Sequence, residues 1–130
     1  MVACAGSGPS SSTKIHLAAD TNWVTAVPAL SAANVKRRSA WRLRRMIYLN
    51  IHNGEASTAR IIQVRVNDGS NTFLVKSSSI AASNDLTMTT DEMIDLATGE
   101  SIEVRSTTNP TNDTTISIIA AFEDIAPTRT

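Results

Sequence analysis

The stretch Trp41–Ile51, with the sequence WRLRRMIYLNI, decides the fold class. Its odd positions are apolar except for Arg45, and its even positions are mostly polar or basic. Alternation with a period of two is the pattern of a half-buried β-strand. Helical spacing would align Trp41 with Arg44 and Tyr48, which leaves no continuous apolar stripe. The stretch therefore predicts a strand whose odd positions face the core, with Arg45 near a sheet end or beside a carboxylate.

Short alternating segments with turn signals between them continue on both sides of this strand. Asn53-Gly54 and Asp68-Gly69 predict hairpins, because such pairs tolerate positive φ. Thr89–Gly99 allows two interpretations, a short capped helix or the short strand Met93–Leu96 followed by a turn. Further strands each place their apolar residues on one face, namely Ile62, Val64 and Val66, then Ile102 and Val104, then Ile116, Ile118, Ala120 and Phe122.

These elements predict an all-β fold, a single antiparallel β-sandwich of jelly-roll-like type, over residues 14–130. Residues 1–13 are small and polar, and we expect them to form a flexible N-terminal arm. A chain of 130 residues has room for one such domain and not for a second.

The formal net charge is zero, but the charge is divided along the chain. Residues 1–60 hold eight basic and two acidic side chains, a net of +6, and residues 61–130 hold four basic and ten acidic ones, a net of −6. This division can be satisfied within one folded domain or between neighbouring copies. The acidic residues Asp91, Glu92, Asp95 and Glu100 are therefore interpreted as a solvated edge or as partners for arginines, and not as a calcium loop.

Catalytic, cofactor and metal sites are not predicted, and neither is an enzyme. The two histidines, His16 and His52, lack metal-ligand spacing, and no phosphate-binding loop or nucleophile motif occurs. The lone Cys4 allows no internal disulfide. We expect neither a membrane span nor a signal peptide, because long apolar runs are missing.

Three C-terminal segments carry a resemblance to a group of proteins. They read FLVKSSSIAASNDLTM, MIDLATGESIEVRSTT and TTISIIAAFEDI, with one turn at 80–83 and a Leu-x-x-Gly-Glu-x-Ile turn at 96–102. In this order they resemble small phage structural β-sandwich proteins, although the proline of that group's first turn is missing here. The resemblance covers roughly residues 41–125 and implies a virion protein with no catalytic residues, either a capsid decoration (cement) protein or a neck, tail or fibre accessory.

The candidate site is an interface. Met46 and Tyr48 are expected on the outward face of the strand beside Arg42 and Arg44, and these residue types are enriched at protein interfaces. The alternative for Met46 and Tyr48 is a strand that is buried on both faces. The basic run 36–45 could instead bind nucleic acid, but zero net charge and few aromatic residues argue against that function.

The resulting expectation is a homo-oligomer, a trimer or another small ring, that attaches to the major capsid protein and stabilises the particle. Such a protein would be made in the host cytoplasm and located in the virion. The alternatives are a neck, tail or fibre accessory, a nucleic-acid-binding β module, and a carbohydrate-binding sandwich. The last ranks lowest because the loops lack aromatic residues.

Overall fold

The structure, a computed structural model, describes residues 7–30, 43–92 and 94–125. Nine β-strands account for most of these residues. A single 3₁₀ turn at Thr90–Glu92 also lies in these ranges. The strands are β1 (Ser7–His16), β2 (Val24–Val27), β3 (Leu43–Asn53), β4 (Arg60–Asn67), β5 (Thr72–Ile80), β6 (Asp85–Met88), β7 (Ile94–Ala97), β8 (Ser101–Ser106) and β9 (Ile116–Ile125).

The strands form two antiparallel sheets. The first sheet has the order β1-β9-β3-β6, and β7 also pairs with β3; the second sheet has the order β2-β8-β4-β5. Strands β6 and β7 share one edge, because β6 pairs with the Leu49–His52 part of β3 and β7 with the Leu43–Met46 part. The prediction of an all-β sandwich is confirmed.

Alternating side chains of both sheets meet in one core. The residues that the sequence placed on common faces of β4, β8 and β9 are buried, with Val66 only partly so. Fully enclosed large side chains include Leu17, Leu49, Ile51, Ile62, Leu96, Ile102, Ile116 and Ile118. Burial of this apolar surface is the main favourable contribution to folding.

Strand β3 contains a bulge that reverses its faces. Its pairing with β9 shifts between Met46 and Tyr48, which leaves Ile47 as the extra residue. Because side chains alternate, one extra residue moves all later positions to the opposite face. Met46 is consequently fully buried, as are Leu49 and Ile51, and Tyr48 is exposed. The expectation that odd positions face the core holds only after the bulge, and the expectation that Met46 faces outward is wrong.

Two further expectations are corrected. Strand β1 begins at Ser7 and pairs with β9, so residues 7–13 belong to the first sheet and not to a flexible arm. The Oγ1 of Thr13 donates to the carbonyl oxygen of Ala26 at 2.6 Å and ties the edges of the two sheets together. Residues 1–6 lie outside the described ranges. Asn53-Gly54 is not a hairpin turn, because β3 and β4 lie in different sheets.

The remaining turn predictions agree with the structure. Asp68-Gly69 lies in the hairpin between β4 and β5, and Gly69 has a φ of +96°. For Thr89–Gly99 the strand interpretation is confirmed, with β7 at Ile94–Ala97 followed by a turn in which Gly99 has a φ of +89°. Glycine takes such angles without steric cost.

Candidate assembly surfaces

The four residues predicted at an interface do not share one surface. Met46 lies in the core, and Arg42 lies outside the described residues. Arg44 is largely enclosed, and Tyr48 is exposed on the outer face of the first sheet. An interface role for Arg44 and Tyr48 remains a prediction.

Arg44 makes a bidentate ion pair inside the chain. Its Nε and Nη2 donate to the two carboxylate oxygens of Asp124 at 2.7 and 3.0 Å, and its Nη1 donates to the carbonyl oxygen of Pro28 at 2.8 Å. The guanidinium also lies 4.6 Å from the ring centre of Phe122. Arg44 therefore holds the start of β3 to the end of β9.

Arg45 reaches a carboxylate, which is one of the two alternatives that the sequence left open for it. Its Nε and Nη2 donate to Asp95 at 2.6 and 3.1 Å, and this hydrogen bonding lowers the pKa of Asp95 and raises the pKa of Arg45. Glu123 lies opposite Arg45 on β9 and adds to the favourable field. The pairs of Arg44 and Arg45 join the basic and acidic halves of the sequence within one copy.

A small apolar group lies in the middle of the outer face of the first sheet. Tyr48 on β3 pairs with Ala121 on β9, and Ile119 lies diagonally beside Tyr48 because it pairs with Asn50. Tyr48 is 37% exposed and Ile119 is 40% exposed. We call Tyr48, Ile119 and Ala121 the face patch.

A second apolar group lies on the outermost strand of the second sheet. Phe73, Leu74 and Val75 follow one another in β5 and are 54%, 59% and 41% exposed. We call these three residues the edge patch. The pairing of β5 with β4 shifts here, because Arg65 pairs with Leu74 while Val64 pairs with Lys76, and Val75 is the extra residue.

The exposure of the edge patch was not predicted from the sequence. Three consecutive apolar residues in a strand cannot all face one core, since alternate side chains point to opposite faces. The run of three apolar residues could have indicated exposed apolar side chains, but a strand that is buried on both faces has the same kind of run.

The charges around the edge patch are mostly neutralised. Arg65 donates to Glu103 at 2.7 Å, and the Nζ of Lys76 lies 3.0 Å from Glu92. Asp68, in the hairpin next to the patch, accepts hydrogen bonds from the backbone N–H groups of Asn71 and Ser70, which lower its pKa. Asp68 has no basic partner among the described residues.

An aromatic and cationic cluster lies on the same sheet. The guanidinium groups of Arg65 and Arg105 lie 3.9 and 4.8 Å from the Trp23 ring centre. Arg105 also donates to the Oε1 of Gln63 at 2.9 Å. Such cation–π contacts fix the side chains on the outer surface of this sheet.

The described residues contain no group of three or more histidine, cysteine, aspartate or glutamate side chains placed to hold a metal ion. In the same ranges there is no helix of the length and apolar character that a membrane span requires.

Comparison with known proteins identifies structures with a similar fold but no protein family. No protein-family model matches this sequence, and no curated protein is detectably similar to it. The structure is similar to a chain of the acid-stable capsid of Helicobacter pylori bacteriophage KHP30, with a TM-score of 0.55, 10% identity, and coverage of 94% of this chain and 91% of that one.

Two other solved structures show the same similarity. One is the capsid of Ralstonia phage GP4, with a TM-score of 0.51, 14% identity, and coverage of 100% of this chain and 90% of that one. The other is from Bacillus endospore appendages, described as disulfide-linked pili, with a TM-score of 0.55, 8% identity and 98% coverage of both chains. At these identities the similarity establishes a shared β-sandwich fold.

Proposed function

We propose that this chain is a non-enzymatic structural protein of a virus particle that assembles with copies of itself. The observation that carries the proposal is the fold similarity, over almost the whole chain, to chains of two phage capsids. The strand order supports it. With β6 and β7 counted as one edge, each sheet has four positions, and the order matches a double-sheet jelly roll, an architecture that viral capsid domains use.

The finer proposal is a capsid decoration (cement) protein that forms a trimer or another small ring on the particle. Such a protein needs no pocket, and it needs surfaces that pack against neighbours. The edge patch and the face patch are such surfaces, because soluble proteins seldom leave clusters of large apolar side chains in water without a binding role. Each copy would bridge neighbouring capsid subunits and add interface free energy to the lattice.

The mass of the purified chain, measured by light scattering after size exclusion, tests self-assembly. We expect one discrete mass that is a multiple of 13.9 kDa and that persists at high salt, since apolar contacts are not screened. A mass of 13.9 kDa at all protein concentrations would contradict self-assembly.

Attachment to the head is tested on particles of the virus that carries this sequence. Gold-labelled antibody against the chain is expected at many positions over the capsid. Label restricted to one vertex or to the tail would support the neck, tail or fibre alternative, and unlabelled particles would contradict a virion location.

The similarity to Bacillus endospore appendages favours a second candidate, a subunit of an extracellular fibre. The chain has only Cys4, so a disulfide between two copies could join only equivalent residues. Nucleic-acid binding through the run 36–45 ranks below both candidates, because Arg44 and Arg45 already pair with carboxylates.

A further inference from the structure

We propose that the edge patch of one copy packs against the face patch of a second copy, in a head-to-tail contact that repeats around a ring. The inference rests on the proposed self-assembly and names the two surfaces that carry it. The occupant of each patch is thus a second copy of this chain.

The positions of the two patches favour a head-to-tail contact. The edge patch lies on the outermost strand of the second sheet, whereas the face patch lies on the central strands β3 and β9 of the first. A two-fold contact centred on one patch joins that patch to its own equivalent and would leave the other patch exposed in the dimer. A contact between unlike surfaces covers both patches in every copy, and it closes into a ring when the rotation allows it.

The local geometry of β5 favours contact through side chains over strand addition. The bulge at Val75 interrupts the regular hydrogen-bonding edge of β5, and bulges at edges hinder pairing with another strand. Phe73 and Leu74 occupy adjacent positions and so project to opposite sides of the strand. The edge therefore presents apolar side chains to a partner surface. Tyr48, in the face patch, is of a residue type enriched at interfaces.

Lys14 beside the face patch and Asp68 beside the edge patch carry opposite charges. Lys14 pairs with Ile119 across β1 and β9, is exposed, and forms no ion pair within the described part of the chain. Asp68 lies beside the edge patch and also forms no ion pair with a basic side chain among the described residues. The other charges that flank the edge patch, those of Arg65 and Lys76, are already paired. A Lys14–Asp68 pair across the contact would satisfy both free charges and fix its orientation.

Two variants, each directed at one patch, test the contact. Leu74→Glu places a charge in the edge patch, and Ile119→Glu places one in the face patch. Both positions are exposed, so the folded copy accommodates the new side chains. Ser79→Glu, on the exposed side of the same strand β5, is the matched control. Circular dichroism verifies folding, and Leu74→Ser with Ile119→Ser provides a milder pair if either charged variant fails to fold.

Light scattering then separates the outcomes. We expect each patch variant to lose the assembled mass and elute as single copies, while Ser79→Glu keeps the mass of the original chain. An equimolar mixture of the two patch variants is expected to form a two-copy species, because one intact edge meets one intact face. The mixture is measured at high protein concentration, because a two-copy species is held by a single contact and lacks the added stability that closure of a ring provides.

Other results overturn the inference in distinguishable ways. If the original chain assembles and either patch variant keeps its mass, the contact is not edge-to-face, although the proposed self-assembly stands. A mixture that stays as single copies also contradicts the contact. If the original chain is itself a single copy at every concentration, the proposed self-assembly fails.

Discussion

Replacement of Asn53 by alanine removes a buried clamp between three segments of the chain. The Nδ2 of Asn53 donates to the carbonyl oxygens of Thr58 and Ile80 at 3.0 and 2.9 Å, and its Oδ1 accepts from the backbone N–H of Glu55 at 3.0 Å. The residue is fully buried. Each hydrogen bond contributes about 1 kcal/mol net, and the buried carbonyl oxygen of Ile80 and the buried N–H of Glu55 would be left unpaired. We therefore expect Asn53→Ala to lower the free energy of unfolding by about 3 kcal/mol.

Urea denaturation measures this change, with Asn50→Ala as the control on the same strand. Asn50 accepts one hydrogen bond, from Thr87 at 2.6 Å, on the outer face of the sheet, so its loss should cost less than about 1 kcal/mol. With a slope of about 2 kcal/mol per molar urea, the midpoint of Asn53→Ala should fall by about 1.5 M.

Measurements at two protein concentrations separate any contribution of self-association. Midpoints of the Asn53 and Asn50 variants that agree within about 0.3 M would refute the assignment of Asn53 as a clamp.

Two other predictions concern charged groups. Arg44→Met leaves the largely enclosed carboxylate of Asp124 unpaired and should lower the free energy of unfolding, measured by urea denaturation, by about 3 kcal/mol. Arg45→Met affects the more exposed pair with Asp95 and should lower it by less than about 1 kcal/mol. Equal losses in the two variants would contradict the structure. Hydrogen bonds from Thr111 lower the pKa of Glu55, so its ionised form stabilises the fold above about pH 4.3, and this contribution is lost as pH falls through the folded-state pKa. The Glu55→Gln variant should show a flatter acid limb of stability against pH, and an unchanged limb would exclude the role of Glu55.

Periodicity predicted a strand at 41–51, and the structure has β3 at Leu43–Asn53, but the predicted directions of its side chains are only partly correct. An extra residue at Ile47 changes which face is buried, and the bulge depends on the pairing with β9, which is set by the fold and not by local sequence. Met46 was therefore placed outside, although it is part of the core. The pairing of β8 with β4 has no bulge at positions 102–104, and the pairing of β9 with β3 has none at positions 116–120. At these positions the side chains face the core as the sequence predicted.

The pair Asn53-Gly54 shows why a turn signal can mislead. The two residues occur together for reasons other than positive φ. Asn53 supplies the buried amide, and a Cβ at Gly54 would lie 2.5 Å from the carbonyl oxygen of Thr115. The close approach of two distant segments therefore requires glycine here. Local sequence does not reveal such a contact, because Thr115 is far away along the chain.

Periodicity predicted Tyr48 on the outward face, but it did not predict the exposure of the edge patch. Exposure of the edge patch depends on β5 being the outermost strand of its sheet, and the grouping of Tyr48 with Ile119 and Ala121 depends on the pairing of β3 with β9. Strand order is set by contacts between segments distant in sequence, so the sequence predicted the strands but not which of them lie at the edges of the sheets. Tyr48, one of the four predicted residues, does lie in the face patch.

Electron microscopy of the purified, unmodified chain tests the central claim of ring assembly most directly. We predict closed rings with one copy number, whose class averages show each copy in the same relation to the next. Isolated particles of single-copy size would contradict self-assembly. Open filaments would contradict ring closure and would favour the fibre-subunit candidate.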